Sequence, residues 1–295
     1  MTRHTKEKLI KYVLFLFALA SVLVLGLIVF SLFREGLPIF RKVSLWDFLF
    51  GLEWYPTADP PLFGIFPLIV GSLVVTLIST IIAVPLGVLS AIYIAEIAPG
   101  SIKEILKSII ELLAGLPSVV LGFFGMVVIA PWLQNTFDLP TGLNIINASF
   151  ILAIMAIPTI SSISEDALYA VSREFKEASY ALGATKFETI TRIIVPSALS
   201  GISTAVILGM SRAIGETMVV LMVAGGAAAI PESLFDSVRP MPASIAAEMG
   251  ETPFRSAHYQ ALFATGIVLF AFTFVFNLIA DYVSEKYRQS GSATL

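Results

Sequence analysis

The chain has 295 residues, of which 57% are hydrophobic and 13% charged, and its mean hydropathy is +0.90. Soluble domains run at about 45–50% apolar and about 25% charged, so this composition excludes a soluble globular protein and predicts an integral membrane protein. The lack of cysteine excludes disulfides, thiolate catalysis and Cys-ligated metal, and the formal charge of −3 carries little meaning, because in a membrane chain the side on which charges fall outweighs their sum.

Apolar runs predict six membrane-spanning helices, over 12–33, 66–95, 106–131, 146–164, 196–224 and 259–281. Lys6, Lys8 and Lys11 precede the first run, and Ala18-Leu19-Ala20 resembles a signal-peptide cleavage site. The run continues to Phe33, so it reads as an uncleaved anchor. A long outer segment follows, 34–65, with Trp46 and Trp54 suited to an interfacial position. Pro85, Pro117 and Pro158 fall inside spans and are expected to kink them. Gly71, Ser72 and Thr76, and further on Gly115, Ser118, Gly122 and Gly125, fit close helix packing; the sharper alternative is a translocation path lined by hydroxyls and freed backbone amides.

A polar segment at 165–192 separates the fourth and fifth spans and suits two short helices broken at Gly183. Phe175, Ala178, Tyr180, Ala181, Leu182 and Phe187 supply contact surface for a partner's groove, and Glu174, Lys176, Glu177, Lys186 and Glu188 a wet face. The fifth span carries Arg212 and Glu216 within an apolar stretch. Each such charge costs about 2.5–3.5 kcal/mol near a bilayer centre, so that side of the helix must face protein or water. At i and i+4 on one helix the two side chains are expected to pair. Arg212 offers a permanent charge and planar donors suited to an oxyanion, and Glu216 would hold it when the path is empty. Ser118 and Thr217 are weaker candidates for the path. A second long outer segment, 225–258, is expected to fold back as a short re-entrant or interfacial piece. His258 lies there; with only His4 besides, no metal site is expected.

With the N-terminus inside, twelve Lys and Arg residues fall on one side of the membrane and five on the other, which satisfies the positive-inside rule with both termini cytoplasmic. The organisation expected is a tail, first helix and outer loop over 1–64, a transport core over 65–285 with its cytoplasmic loop at about 165–195, and a polar tail over 286–295.

Glu177-Ala178-Ser179, then Gly183, then Ile193-Ile194-Val195-Pro196 resembles the EAA loop of ABC-importer permeases, with Ser179 for the second Ala and Val195 for the usual Leu. Arg212-Ala213-Ile214-Gly215-Glu216-Thr217-Met218, Leu116-Pro117-Ser118-Val119-Val120 and Tyr259-Gln260-Ala261-Leu262-Phe263 are similar to the phosphate-specific permeases, C-type in particular, over about 60–285. That resemblance implies an all-α, six-span, type I ABC importer permease fold in a prokaryotic inner membrane. It implies a pathway for inorganic phosphate shared with an A-type second permease, and an extracytoplasmic binding protein that delivers the anion. It also implies two ATPase subunits, holding ATP and Mg, that dock on the loop through Glu177, Ala178, Tyr180, Leu182 and Gly183, with Pro196 closing the motif.

The chain contains no Gly-Lys dipeptide and so no Walker A site; no catalytic site, cofactor or nucleic-acid partner of its own is expected. A permease for sulfate or molybdate and an ion-coupled secondary transporter remain the alternatives, the latter needing no coupling loop.

Overall fold

In the computed structural model, which describes residues 3–288, the apolar runs become helices, and the charged segments fall between them. The first helix, α1 (Arg3–Gly36), is apolar all round from Tyr12 to Phe33 and lies at the periphery, touching α14 (Ala257–Arg288) and little else. A 3₁₀ turn (Leu37–Arg41), helix α2 (Leu45–Phe50) and a two-stranded antiparallel hairpin, β1 (Trp54–Tyr55) with β2 (Leu62–Phe63), follow in the outer loop. Ser44 caps α2 by accepting the Asp47 N–H at 3.0 Å.

Helix α3 (Phe66–Ile92) runs on through a π turn (Tyr93–Ile97). Its main partner is α7 (Ile145–Tyr169), and α11 (Leu199–Ile214) lies against both. Lipid tails are as apolar as leucine, so helices in a bilayer are joined by close packing and interhelical hydrogen bonds. Ile160 of α7 is wedged between two glycines: a Cβ added to Gly87 of α3 would meet Ile160 Cγ2 at 2.8 Å, and one added to Gly209 of α11 would meet Ile160 Cγ1 at 2.8 Å. Ser149 Oγ of α7 donates across to Val75 O of α3 at 3.3 Å. Pro85 and Pro158 stand inside the continuous helices α3 and α7. The small residues Gly71, Ser72, Gly122 and Gly125 all pack against neighbouring elements, and Ser72 Oγ accepts the Met241 N–H at 2.8 Å. Close packing is therefore the observed use of these four, whereas Gly115 has open space beside it.

Two spans differ from expectation. The run at 106–131 is not one helix: α4 (Gly100–Gly115) has no buried residue and ends before Leu116-Pro117, where both residues are extended. The crossing begins only at Ser118, with α5 (Ser118–Phe124) joined through a π turn (Gly125–Ile129) to α6 (Ala130–Phe137). Pro117 thus separates two helices and kinks neither, because it disfavours helical backbone at the residue before it. The run at 196–224 is broken twice. Lys186–Ser197 meets Leu199–Ile214 at a 66° bend, and α11 then stops at Gly215, ahead of α12 (Met218–Val223). Counting that bent pair as one crossing gives six.

The outer segments form a cap. Trp54, expected at an interface, is 2% exposed and packs in one cluster with Phe48, Phe63 and Leu262, whereas Trp46 is 71% exposed. The 225–258 segment folds in as a short helix, α13 (Met241–Glu248), whose Met241, Pro242, Ala243 and Ser244 are buried. At its end Glu248 gathers four partners. It accepts from Trp54 Nε1 at 3.1 Å, Arg239 Nη1 at 2.8 Å and Ser244 Oγ at 3.0 Å, and lies 2.6 Å from His258 Nε2. Arg239 Nε also donates to Gly226 O at 2.7 Å. One carboxylate so ties β1, the 225–240 segment, α13 and α14 together. Removing one partner of a buried ion pair costs about 3–5 kcal/mol; since the Arg239 side chain is 31% exposed, Glu248→Ala is expected to cost about 2–3 kcal/mol. Thermal unfolding of the detergent-solubilised protein checks this, and an unchanged Tm would show that apolar packing alone holds the cap.

Candidate functional site

The break between α11 and α12 puts the two membrane charges in different environments. Arg212 is in the last turn of α11, where a cation offsets the partial negative charge of the helix end. Its Nη1 donates to Thr159 Oγ1 of α7 at 3.1 Å, and its side chain is exposed on the surface of the bundle. Glu216 sits in the break. Its Oε1 accepts the Val219 N–H at 3.4 Å, which satisfies one free donor of α12. Arg212 and Glu216 line one small cleft with Leu152, Met155, Ala156 and Ala213, holding about 10 Å³ of open space, room for about one water.

No ion pair joins Arg212 and Glu216 among the described residues, contrary to the i, i+4 expectation. The helix does not continue from one to the other. Gly215 ends it, the Glu216 N–H turns back to Ala213 O at 3.3 Å, and Thr217 Oγ1 donates to Gly215 O at 3.4 Å. Thr217 therefore serves the backbone of the break. Ser118 opens α5 and does not line the cleft. Two residues the sequence reading passed over belong to this region: Thr159, and Asn277 of α14, whose Oδ1 accepts from Ser211 Oγ at 3.3 Å. A polar residue in the middle of each apolar helix was the available signal. From Leu199, past the bend, the rise along α11 to Arg212 is about 20 Å.

The second candidate surface projects from the opposite end of the same crossing. Helix α8 (Arg173–Ala181) starts with Ser172 Oγ accepting the Glu174 N–H at 3.3 Å. It ends at Gly183, whose φ of +83° only glycine adopts without strain. Helix α9 (Lys186–Thr189) opens with a capping box between Thr185 and Glu188, and a π turn (Ile190–Ile194) and α10 (Val195–Ser197) lead into the bend. Ser179 Oγ and Thr189 Oγ1, 2.9 Å apart and buried, bracket the two helices.

Glu177, Ala178, Tyr180, Leu182 and Gly183 are all exposed on this loop, and Pro196 lies exposed beside the bend. Leu182 is 90% exposed, Phe187 74% and Phe175 60%. Three large apolar side chains open to water on a polar loop form a surface for a partner to cover. A groove of about 500 Å³ runs between Phe175, Ala178, Leu182, Gly183, Glu188 and Arg192. Among the described residues no His, Asp and Glu cluster that could hold a metal ion is present.

A six-crossing helical bundle with a charged break in one crossing and an apolar-faced loop at its end defines a membrane transport subunit that couples to a partner. The chain belongs to the binding-protein-dependent transport system inner membrane component family, whose profile matches residues 83–289. It is 39% identical to the probable ABC transporter permease protein YqgH of Bacillus subtilis, over 92% of this chain and 89% of that protein. It is 33% identical to the phosphate transport system permease protein PstC of Mesorhizobium japonicum, over 90% and 86%, and 30% identical to that of Haemophilus influenzae, over 96% and 95%. The fold is that of ABC importer permeases. A chain of a bacterial alginate ABC transporter superposes with a TM-score of 0.66 at 16% identity, over 97% of this chain and 99% of that one. A chain of the methionine transporter MetNI, in an inward-facing conformation, superposes at 0.56 and 19%, over 76% and 94%.

Proposed function

We propose that this chain is the permease subunit of an ATP-driven importer of inorganic phosphate, with Arg212 on the anion path. One observation carries the reading: a permanently charged guanidinium, held through one Nη1 bond to Thr159, is exposed at a break in a membrane-crossing helix. A cation cannot face lipid at that depth cheaply, so this face meets water or a second permease, and the remaining planar donors suit a tetrahedral oxyanion. Glu216 beside it keeps the site from becoming a deep anion trap, and a transport site must release what it binds. The relatives named as phosphate permeases support phosphate over sulfate or molybdate.

In this reading both termini and the α8–α9 loop are cytoplasmic, in the plasma membrane of a prokaryote. Two ATPase subunits carrying ATP and Mg dock on the loop around Glu177, Ala178, Tyr180, Leu182 and Gly183, and a binding protein delivers phosphate to the outer cap. With no Walker A sequence, the chain itself contributes no nucleotide chemistry. Nucleotide closure pulls the loop and shifts the bundle between two states.

The test is uptake into proteoliposomes holding the chain with its partner permease, ATPase and binding protein. ATP-dependent accumulation of phosphate, with sulfate and molybdate left outside, is the expected result. Accumulation driven by an ion gradient in the chain alone would replace this reading with a secondary transporter.

A further inference from the structure

We propose that Lys176 and Glu96 form a strut that carries movement of α8 into α3, an inference that rests on α8 being the element the ATPase moves. Lys176 Nζ lies 2.6 Å from Glu96 Oε1, with the two side chains 20% and 11% exposed. Lys176 is one of two α8 residues that turn back toward the molecule. The other, Ser179, bonds Thr189 and ties α8 to α9. The polar contacts of α8 thus reach two different crossings: α9 leads by chain continuity into α10 and α11, and the ion pair reaches α3.

The receiving end is built to take a push. Glu96 lies in the π turn that prolongs α3, the kind of irregular turn that recurs at functional sites. Little water screens the pair, so the charges hold each other more firmly than an exposed pair would. Above the turn α3 packs along α7, with Ile160 keyed between Gly87 and Gly209. The next residue back in α7 is Thr159, the group that holds Arg212. A displacement delivered to the end of α3 therefore reaches the frame that positions the Arg212 guanidinium. The route through α9 runs on into α11 only past the 66° bend at Ala198, and its link to the ends of α3 and α7 is the apolar cluster of Ile190 and Ile194 with Ala91 and Leu168, which lacks the fixed direction of an ion pair. Lys176 and Glu96 are positioning residues, since neither touches the cleft beside Arg212.

The test measures phosphate imported per ATP hydrolysed by the complete reconstituted complex, for Lys176→Gln, Glu96→Gln, Lys176→Arg and the exchanged pair Lys176→Glu with Glu96→Lys. Both single neutral variants should keep ATP turnover and lose about tenfold in that ratio, within the 5–150-fold range typical of coupling between sites. Lys176→Arg and the exchanged pair should recover most of it. A pair that merely stabilised the fold would lower the amount of assembled complex and leave the ratio of the surviving complex unchanged, and that outcome overturns the strut. Loss of ATP turnover and import together, with no recovery in the exchanged pair, also overturns it, by assigning Lys176 to docking. If the wild-type complex moves sulfate in place of phosphate, the substrate reading fails and the strut is judged on the ratio measured with sulfate.

Discussion

Arg212→Gln is expected to lower phosphate uptake about 30- to 4,000-fold, the equivalent of about 2–5 kcal/mol for a charge partner lost from a desolvated ion contact. Assembly and basal ATP turnover should stay close to wild type. Glutamine ends two bonds short of the Nη1 that now lies 3.1 Å from Thr159 Oγ1 and so gives up that bond, but the apolar packing of α11 on α7, with Gly209 against Ile160, survives. What disappears is the charge and the forked donor set. Arg212→Lys separates these two contributions, because lysine restores the charge as a point and not the planar fork. It should recover part of the uptake, with weaker discrimination against other anions. Glu216→Gln is expected to act in the opposite sense on binding: with the counter-charge gone, phosphate is held longer and turnover falls. Proteoliposome uptake and phosphate-stimulated ATP hydrolysis, measured side by side, report these separately. Wild-type uptake by Arg212→Gln would remove the residue from the path and leave it the role of stabilising the end of α11.

The number of crossings was legible because it depends on little more than apolar length, the quantity that a bilayer selects. The places where helices stop were less legible. Through the 106–131 run a hydropathy window averages over the helix circumference, so it cannot see that Leu106, Ile109 and Leu113 of α4 share a face with polar Lys107, Ser108 and Glu111 turned elsewhere. Leu116-Pro117 was visible as a helix stop, but it lay inside an apolar stretch and was read as a kink. At Gly215 the sequence shows one glycine in an otherwise helical pattern, which many helices tolerate. The Glu216 carboxylate and the Thr217 hydroxyl then take backbone partners, Val219 N–H and Gly215 O, that a continuous helix would have claimed for itself.

That break also explains how the candidate site was both found and misdrawn. Arg212 and Glu216 stood out because each is costly in lipid, and that cost is independent of the local backbone. Their pairing assumed a helical turn between them, and the structure puts Glu216 to work at the start of α12. Thr159, Asn277 and the Lys176–Glu96 contact depend on which helices are neighbours: Lys176 and Glu96 are 80 residues apart, and nothing local in either segment names its partner. Trp54 shows the same limit from the apolar side. Tryptophan near a span end is ordinarily an interfacial residue, and only the approach of α13 brings Glu248 within 3.1 Å of its indole nitrogen and buries it.

Gly183→Asp is expected to abolish phosphate-stimulated ATP hydrolysis in the assembled importer, and the order of a short substitution series shows why. At φ +83° the Gly183 N–H donates to Tyr180 O at 3.0 Å and the Ala184 N–H to Ser179 O at 3.2 Å, which closes α8 and aims α9. An added Cβ would meet nothing within 4 Å, so space in the chain itself does not restrict the position. A left-handed conformation costs a side-chain-bearing residue about 1–2 kcal/mol, and asparagine or aspartate less than others. Gly183→Asn should therefore be nearly neutral for the loop, and Gly183→Ala should lose several-fold in coupling. Aspartate bears the conformational cost about as well as asparagine, yet adds a second carboxylate to a groove in which Glu188 already draws on the one lining cation, Arg192, and places it beside the exposed Leu182. Burying that charge under a partner without a counter-ion costs several further kcal/mol, about two orders of magnitude or more in affinity. The expected ranking is Gly, Asn, Ala, Asp, read as ATPase subunit retained on the purified complex and as phosphate-stimulated hydrolysis. Alanine as damaging as aspartate would mean that loop geometry alone is at stake. If all four retained the ATPase equally, the covered face would have to lie elsewhere on the chain.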